Sequence, residues 1–176
     1  MPATVRNLAD LPNGSRVFID TNIFDLHFRG KSLTCTNFLA GVERREIVGF
    51  VNVKVLYDLL HKLMLAEAVK GSFITKPQAS QLKAWLRADR TRIASLTQHH
   101  GLFKTVLKYR MQIIELNGTV LRSSRTSREQ WGLLTGDSLH LTCMSRAKPA
   151  ITDIVTHDGD FEHIDGLTVW KPQDVV

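Results

Sequence analysis

Val17, Phe18 and Ile19 run without interruption into Asp20-Thr21-Asn22. A run so short and continuously apolar reads as a buried strand, and its C-terminal end presents a carboxylate. In an open parallel α/β sheet that end of a strand is where ligands and catalysis sit. Acids recur in comparable settings at Asp58, at Asp137, and at Asp158 with Asp160. Together they suggest a cage for a hard divalent cation, because Mg²⁺ and Mn²⁺ favour carboxylate and water oxygens. Such ions can activate a water for attack on phosphorus and stabilise the leaving oxygen.

The rest of the chain alternates strands with helices. Residues 1–15 read as a polar lead-in that turns at Pro12-Asn13-Gly14. Helical spacing then predicts a short helix after Asp20 and a longer one over 34–45. Ile47 to Val51 reads as a second buried strand, leading into a helix over 53–69. Gly71 is read as ending that helix, and Thr75-Lys76-Pro77 as opening another that runs through Leu82, Trp85, Leu86, Ile93 and Leu96. Gly101 is expected to divide it from a further helix reaching Ile114, with His99 and His100 at the end of the first. Val120-Leu121 reads as a strand remnant or loop, and 123–127 as exposed polar chain. A helix follows from Asp137 to Arg146. Ile151 to Thr156 reads as a strand and Leu167 to Trp170 as a closing edge strand. This order predicts one domain over 1–176, a three-layer α/β/α sandwich around a mainly parallel sheet, with an extended helical segment around 70–118.

Composition narrows the class. At 176 residues, 43% hydrophobic and 23% charged, the chain is that of a globular protein. No apolar run is long enough to span a bilayer and no signal-peptide pattern opens it, so a cytoplasmic location is expected, with Cys35 and Cys143 reduced. From Leu82 to Arg128, ten basic residues meet only Asp89 and Glu115, a local +8 that leaves −2 for the rest of a +6 chain. That asymmetry fits a polyanion-binding surface, and equally fits helices with solvated outer faces. The histidines show no Cys/His spacing of a zinc site. Trp131, just after Arg125 and Arg128, is a better stacking candidate than Trp85.

Each acid also has a plainer reading. Asp20 and Asp137 suit helix caps, Asp58 a solvated helix face, and Asp158-Gly159-Asp160 an ordinary turn. Order and context shift the balance. Val17 to Asn22 resembles the hydrophobic-Asp-Thr-Asn opening of the PIN-domain family of metal-dependent ribonucleases. Asn52 to Asp58 matches its second motif, Gly132 to Leu141 its third, and Thr156-His157-Asp158-Gly159-Asp160-Phe161 its fourth. Within that family the chain is most similar to the VapC-like toxins of prokaryotic toxin–antitoxin pairs. It departs at Asp58, where the family usually has Glu, and in the longer helical stretch from about 70 to 118.

The resemblance implies an endoribonuclease dependent on Mg²⁺ or Mn²⁺. Asp20, Asp58, Asp137 and Asp158 would carry catalysis; Asp20, Asp137, Asp158 and Asp160 would hold metal. Thr21, Asn22, Asn52 and Thr156 are placed to orient these acids, and Arg122, Arg125, Arg128 and His157 to contact RNA phosphates. It further implies a homodimer and, for a toxin, an antitoxin that blocks the acidic groove. A PIN nuclease of RNA processing without an antitoxin, and a weakened PIN-fold binding module, remain open. Phosphotransfer folds fit less well, since Asn22 stands where an Asp-x-Asp motif needs its second acid.

Overall fold

The computed structural model describes residues 2–71 and 78–176. Six strands, β1 (Thr4–Asn7), β2 (Arg16–Ile19), β3 (Val48–Asn52), β4 (Gln112–Ile114), β5 (Asp153–Val155) and β6 (Thr168–Lys171), form one sheet in the order β1-β6-β5-β2-β3-β4. Every pairing is parallel. Successive strand residues face opposite sides, yet Val17, Phe18 and Ile19 are all fully buried. Both faces of β2 are therefore covered, which is the three-layer α/β/α arrangement expected.

The chain divides into two compact units, 1–56 with 109–176, and 57–108. The first holds the whole sheet with α1 (Thr21–Phe28), α2 (Leu33–Glu43), the start of α3 (Val53–Gly71), α7 (Gly118–Trp131) and α8 (Thr135–Arg146). Close backbone approach matters at Gly49 on β3, where a Cβ would lie 2.8 Å from Ile19 Cδ1 and 3.0 Å from Val42 Cγ1. Helices α7 and α8 share a small core of Val120, Leu139 and Cys143, with Ile114 and Leu116 against it. Gly132, at φ +66°, closes α7 in the left-handed conformation that glycine adopts without steric cost.

The second unit contains the rest of α3, then α4 (Ala79–Ala88), α5 (Arg90–Ala94) and α6 (Gln98–Lys108). Its core is Ala68, Leu82, Leu86 and Leu96, with Met64, Leu65 and Trp85 packed on it. Glu67 reaches the first turn of α6. It accepts from the N–H groups of Thr97 and Gln98 at 2.8 and 2.9 Å, and from the His99 N–H and Nδ1 at 2.9 and 2.7 Å.

Several expectations are corrected. The lead-in contains β1, so β6 is not an edge strand. One helix over 77–96 is broken at Asp89, whose side chain caps α5; its proposed Thr75-Lys76-Pro77 start lies outside the described residues. Gly101 sits inside α6, and His99 and His100 begin that helix instead of ending one. The helix expected to reach Ile114 stops at Lys108, and β4 follows. Val120-Leu121 and 123–127 are helical in α7, with Ser124 fully buried.

Candidate active site

Asp20 is placed by two elements at once. Its N–H continues the ladder of β2 onto the Val155 carbonyl at 3.1 Å, and its side chain caps α1 through the Thr21 N–H at 2.5 Å. The second carboxylate oxygen accepts from Asn22 Nδ2 and from Thr156 Oγ1, each at 2.7 Å. The capping and catalytic readings of Asp20 are therefore compatible.

Thr156 comes to Asp20 through register. Ile19 lies opposite Val155, so the next residues of the two parallel strands emerge side by side. Thr156 is fully buried, and its Oγ1 also accepts from Asn22 Nδ2 at 2.9 Å and from the Asp158 N–H at 3.0 Å. One donated and two accepted bonds use the whole capacity of a hydroxyl. Asn22 Oδ1 accepts the His157 N–H at 3.0 Å, and Asp158 Oδ1 accepts the Asp160 N–H at 3.1 Å. The turn reading of 158–160 is correct, and the turn is tied to Asp20.

Asp137 enters from α8. Leu134, not Asp137, occupies the cap position, and Asp137 is the third residue of the helix. Burial pushes its carboxyl up from 3.8 to about 6, and the charges of Asp20, Asp158 and Asp160 add to the push in that order. Its own backbone N–H opposes them. Asp20, Asp158 and Asp160 thus lie close enough for their charges to act on Asp137.

Other expected residues have distinct places. Thr21 is buried and its Oγ1 lies 3.5 Å from the Val55 carbonyl. Asn52, fully buried, accepts the Val55 N–H at 3.0 Å, while its Nδ2 meets His140 Nδ1 at 3.0 Å and Cys143 Sγ at 3.5 Å. It thus ties the start of α3 to the helix carrying Asp137. His140 is the partner the sequence reading did not single out; its position three residues after Asp137 was the available signal. Asp58 is partly buried on α3 and falls in the second unit.

On α7, Arg122 is exposed, Arg125 is paired with Glu129 at 2.6 Å, and Arg128 donates to Ser124 Oγ at 2.9 Å. An exposed i,i+4 pair is worth at most about 1 kcal/mol, so Arg125 is easily recruited elsewhere. The His157 side chain is exposed. Trp131 lines a groove of about 510 Å³ with Thr142, Arg146 and Ile164; none of the four acids lines it.

The donor set suits a hard cation, since every candidate ligand is a carboxylate. Among the described residues no three His, Cys, Asp or Glu side chains already converge as a metal-holding group. The sign of the site is nevertheless plain: Asp137 resists ionising because it is buried and because its neighbours are negative, and a bound cation would relieve the second cost.

No family model matches the chain. It is 27% identical over 155 residues to Ribonuclease VapC2 of Methanocaldococcus jannaschii, across 88% of this chain and 93% of that protein. Its fold matches a chain of the VapBC2 complex of Rickettsia felis, solved bound to a DNA fragment from the promoter, with a TM-score of 0.55. That match covers 89% of this chain and 98% of the other at 18% identity, and speaks for the fold alone. Likeness along nearly the whole sequence and a common fold agree with the four motifs: the chain is VapC-like in sequence and PIN-like in fold.

Proposed function

We propose that this chain is an endoribonuclease dependent on Mg²⁺ or Mn²⁺, acting as the toxin of a toxin–antitoxin pair. The observation that supports the reading is that the charges of Asp20, Asp158 and Asp160 all act on the partly buried Asp137. Likeness to a protein named a ribonuclease supports the reaction class. A structural neighbour solved as a VapBC2 complex supports an antitoxin partner.

In this reading Asp20, Asp137 and Asp158 hold the cation, Asp160 completes its surroundings, and Asp58 is the acid at the position of the family's Glu. When bound, the ion supplies Lewis-acid activation of a water and neutralises charge at phosphorus. The chain's own contribution is positioning. Thr156 and Asn22 fix the Asp20 carboxylate, and the Asp158 turn is anchored to the same hydroxyl. Asp137, raised to about 6 by burial and its acidic neighbours, is the carboxyl whose ionisation a bound cation would favour most directly. Arg122, Arg125, Arg128 and His157 are the candidates for phosphate contacts.

The test is cleavage of single-stranded RNA with Mg²⁺ or Mn²⁺, with EDTA and Asp20→Asn as controls. Cleavage is expected with metal alone, and Asp20→Asn is expected to lose about 10²–10³-fold or more in rate. Cleavage surviving both controls would sink the metal mechanism.

A further inference from the structure

The second unit is electrostatically unlike the rest of the chain. Residues 57–108 carry nine Lys and Arg against Asp58, Glu67 and Asp89, a net +6 equal to that of all 176 residues, so the remainder sums to zero. Two of those three acids are engaged within the unit. Glu67 is committed to the N-terminus of α6 and to His99, and Asp89 caps α5.

The cations stand in rows. Lys83 and Arg87 lie four apart on α4, and Lys104 and Lys108 four apart on α6; all four are exposed. On α4 the adjacent positions, Leu82 and Leu86, fill the core, while Lys83 and Arg87 are exposed. Four residues of helix advance about 6 Å, so each row repeats a charge on the scale of successive phosphates in an extended strand. Among the described residues no ion pair engages these four side chains. Arg92 differs: its guanidinium lies 4.6 Å over the Trp85 ring and donates to the Trp85 carbonyl. The unit also presents an aromatic surface. Tyr57 is 64% exposed and lies parallel to His61, with ring centroids 6.4 Å apart.

We propose that the inserted unit grips single-stranded RNA by its phosphate backbone, through the Lys83–Arg87 and Lys104–Lys108 rows, with Tyr57 as a stacking surface. The proposal rests on the ribonuclease reading above and names where that substrate is held. Free basic rows and an exposed ring in one compact unit are the ingredients that bind single strands without choosing sequence. An acidic protein segment would use the charges and leave the ring without a partner.

The experiment measures binding of a mixed-sequence single-stranded RNA of 20 nucleotides by fluorescence anisotropy, at several salt concentrations, without divalent ions. Three doubly substituted full-length chains are compared: Lys83→Gln with Arg87→Gln, Lys104→Gln with Lys108→Gln, and a control of equal charge from the other unit, Arg45→Gln with Lys148→Gln. Each pair in the inserted unit is expected to weaken binding about 3- to 10-fold and to lower the salt slope by about 1.4, while the control changes binding less than about 2-fold. Gln keeps helix propensity, and circular dichroism of each variant verifies folding. Tyr57→Ala should weaken binding without changing the salt slope. Equal losses in the control would reduce the effect to net charge and overturn the proposal. So would unchanged binding in both inserted-unit pairs, or binding of a polyglutamate peptide with none of RNA. If the intact chain cleaves RNA while these pairs bind normally, only this inference fails; if it neither cleaves nor binds RNA, the ribonuclease reading fails with it.

Discussion

Asp137 and Glu67 are both partly buried carboxyls, and they are pushed in opposite directions. Burial raises Asp137, and its neighbours Asp20, Asp158 and Asp160 raise it further, to about 6. Burial would raise Glu67 as well, but the Gln98, His99 and Thr97 N–H groups and the His99 ring outweigh it and hold the carboxyl at about 2. Glu67 has donors on every side and is finished as it stands. Asp137 has acceptors around it and lacks a positive charge. The contrast separates an acid that builds structure from acids suited to hold a cation.

The largest expected break comes from Asp137→Asn. Cleavage should fall about 10²–10³-fold, yet the metal-free chain should melt higher near pH 7.5, because one repelling charge has gone. Unmodified Asp137 keeps its proton more tightly folded than unfolded, so stability falls as pH rises from about 4 to 6 and stays lower above that. Discounted for solvent screening, the loss is on the order of 1–2 kcal/mol, read as melting temperature against pH. A variant that melts lower at pH 7.5 would show that the repulsion is not felt.

Divalent ions sharpen the same point. Mg²⁺ or Mn²⁺ at about 100 times its dissociation constant should stabilise the chain by about 2.7 kcal/mol, a shift absent in Asp20→Asn. Glu67→Ala should cost about 1–3 kcal/mol by leaving the first N–H groups of α6 without their acceptor, and should leave that metal-induced shift intact. Loss of the shift in Glu67→Ala would break the distinction between the two acids. The smallest effect is expected of Asp58→Glu, with cleavage kept or modestly increased; complete loss of cleavage would mean that Asp58 does not stand in for the family's Glu.

The parts of the fold that were legible had continuous apolar character. Val17 to Ile19 and Ile47 to Val51 announced β2 and β3 because both faces of those strands are covered. The edge strands β1 and β4 were invisible for the converse reason: Val5 and Ile113 are 45% and 54% exposed. Gly101 looked like a break because glycine costs a helix interior about 1 kcal/mol relative to alanine. The capping bonds from Glu67, far away in sequence, begin α6 before that residue and override the local preference. Ser124 looked exposed because serine competes with helix hydrogen bonds, but its hydroxyl bonds back to the Leu121 carbonyl at 2.8 Å and helix packing buries it. For the acids, order and spacing nominated Asp20, Asp137, Asp158 and Asp160, and in the fold the charges of the other three act on Asp137. The resemblance also put Thr156 among the orienting residues, and its bond to Asp20 agrees; that Asn52 pairs with His140, a contact across more than eighty residues, was beyond any local reading.

The pairing of Ile19 with Val155 makes the β2–β5 register the ruler for this centre. A strand advances about 3.3 Å per residue and turns its side chain over at each step. One residue inserted within 152–154 could leave every core strand hydrogen-bonded and every acid present. It would nonetheless withdraw the Thr156 hydroxyl from Asp20 and carry the 158–160 turn out of step. Such a slipped variant, folded and complete in composition, should be as inert as one that lacks the aspartate.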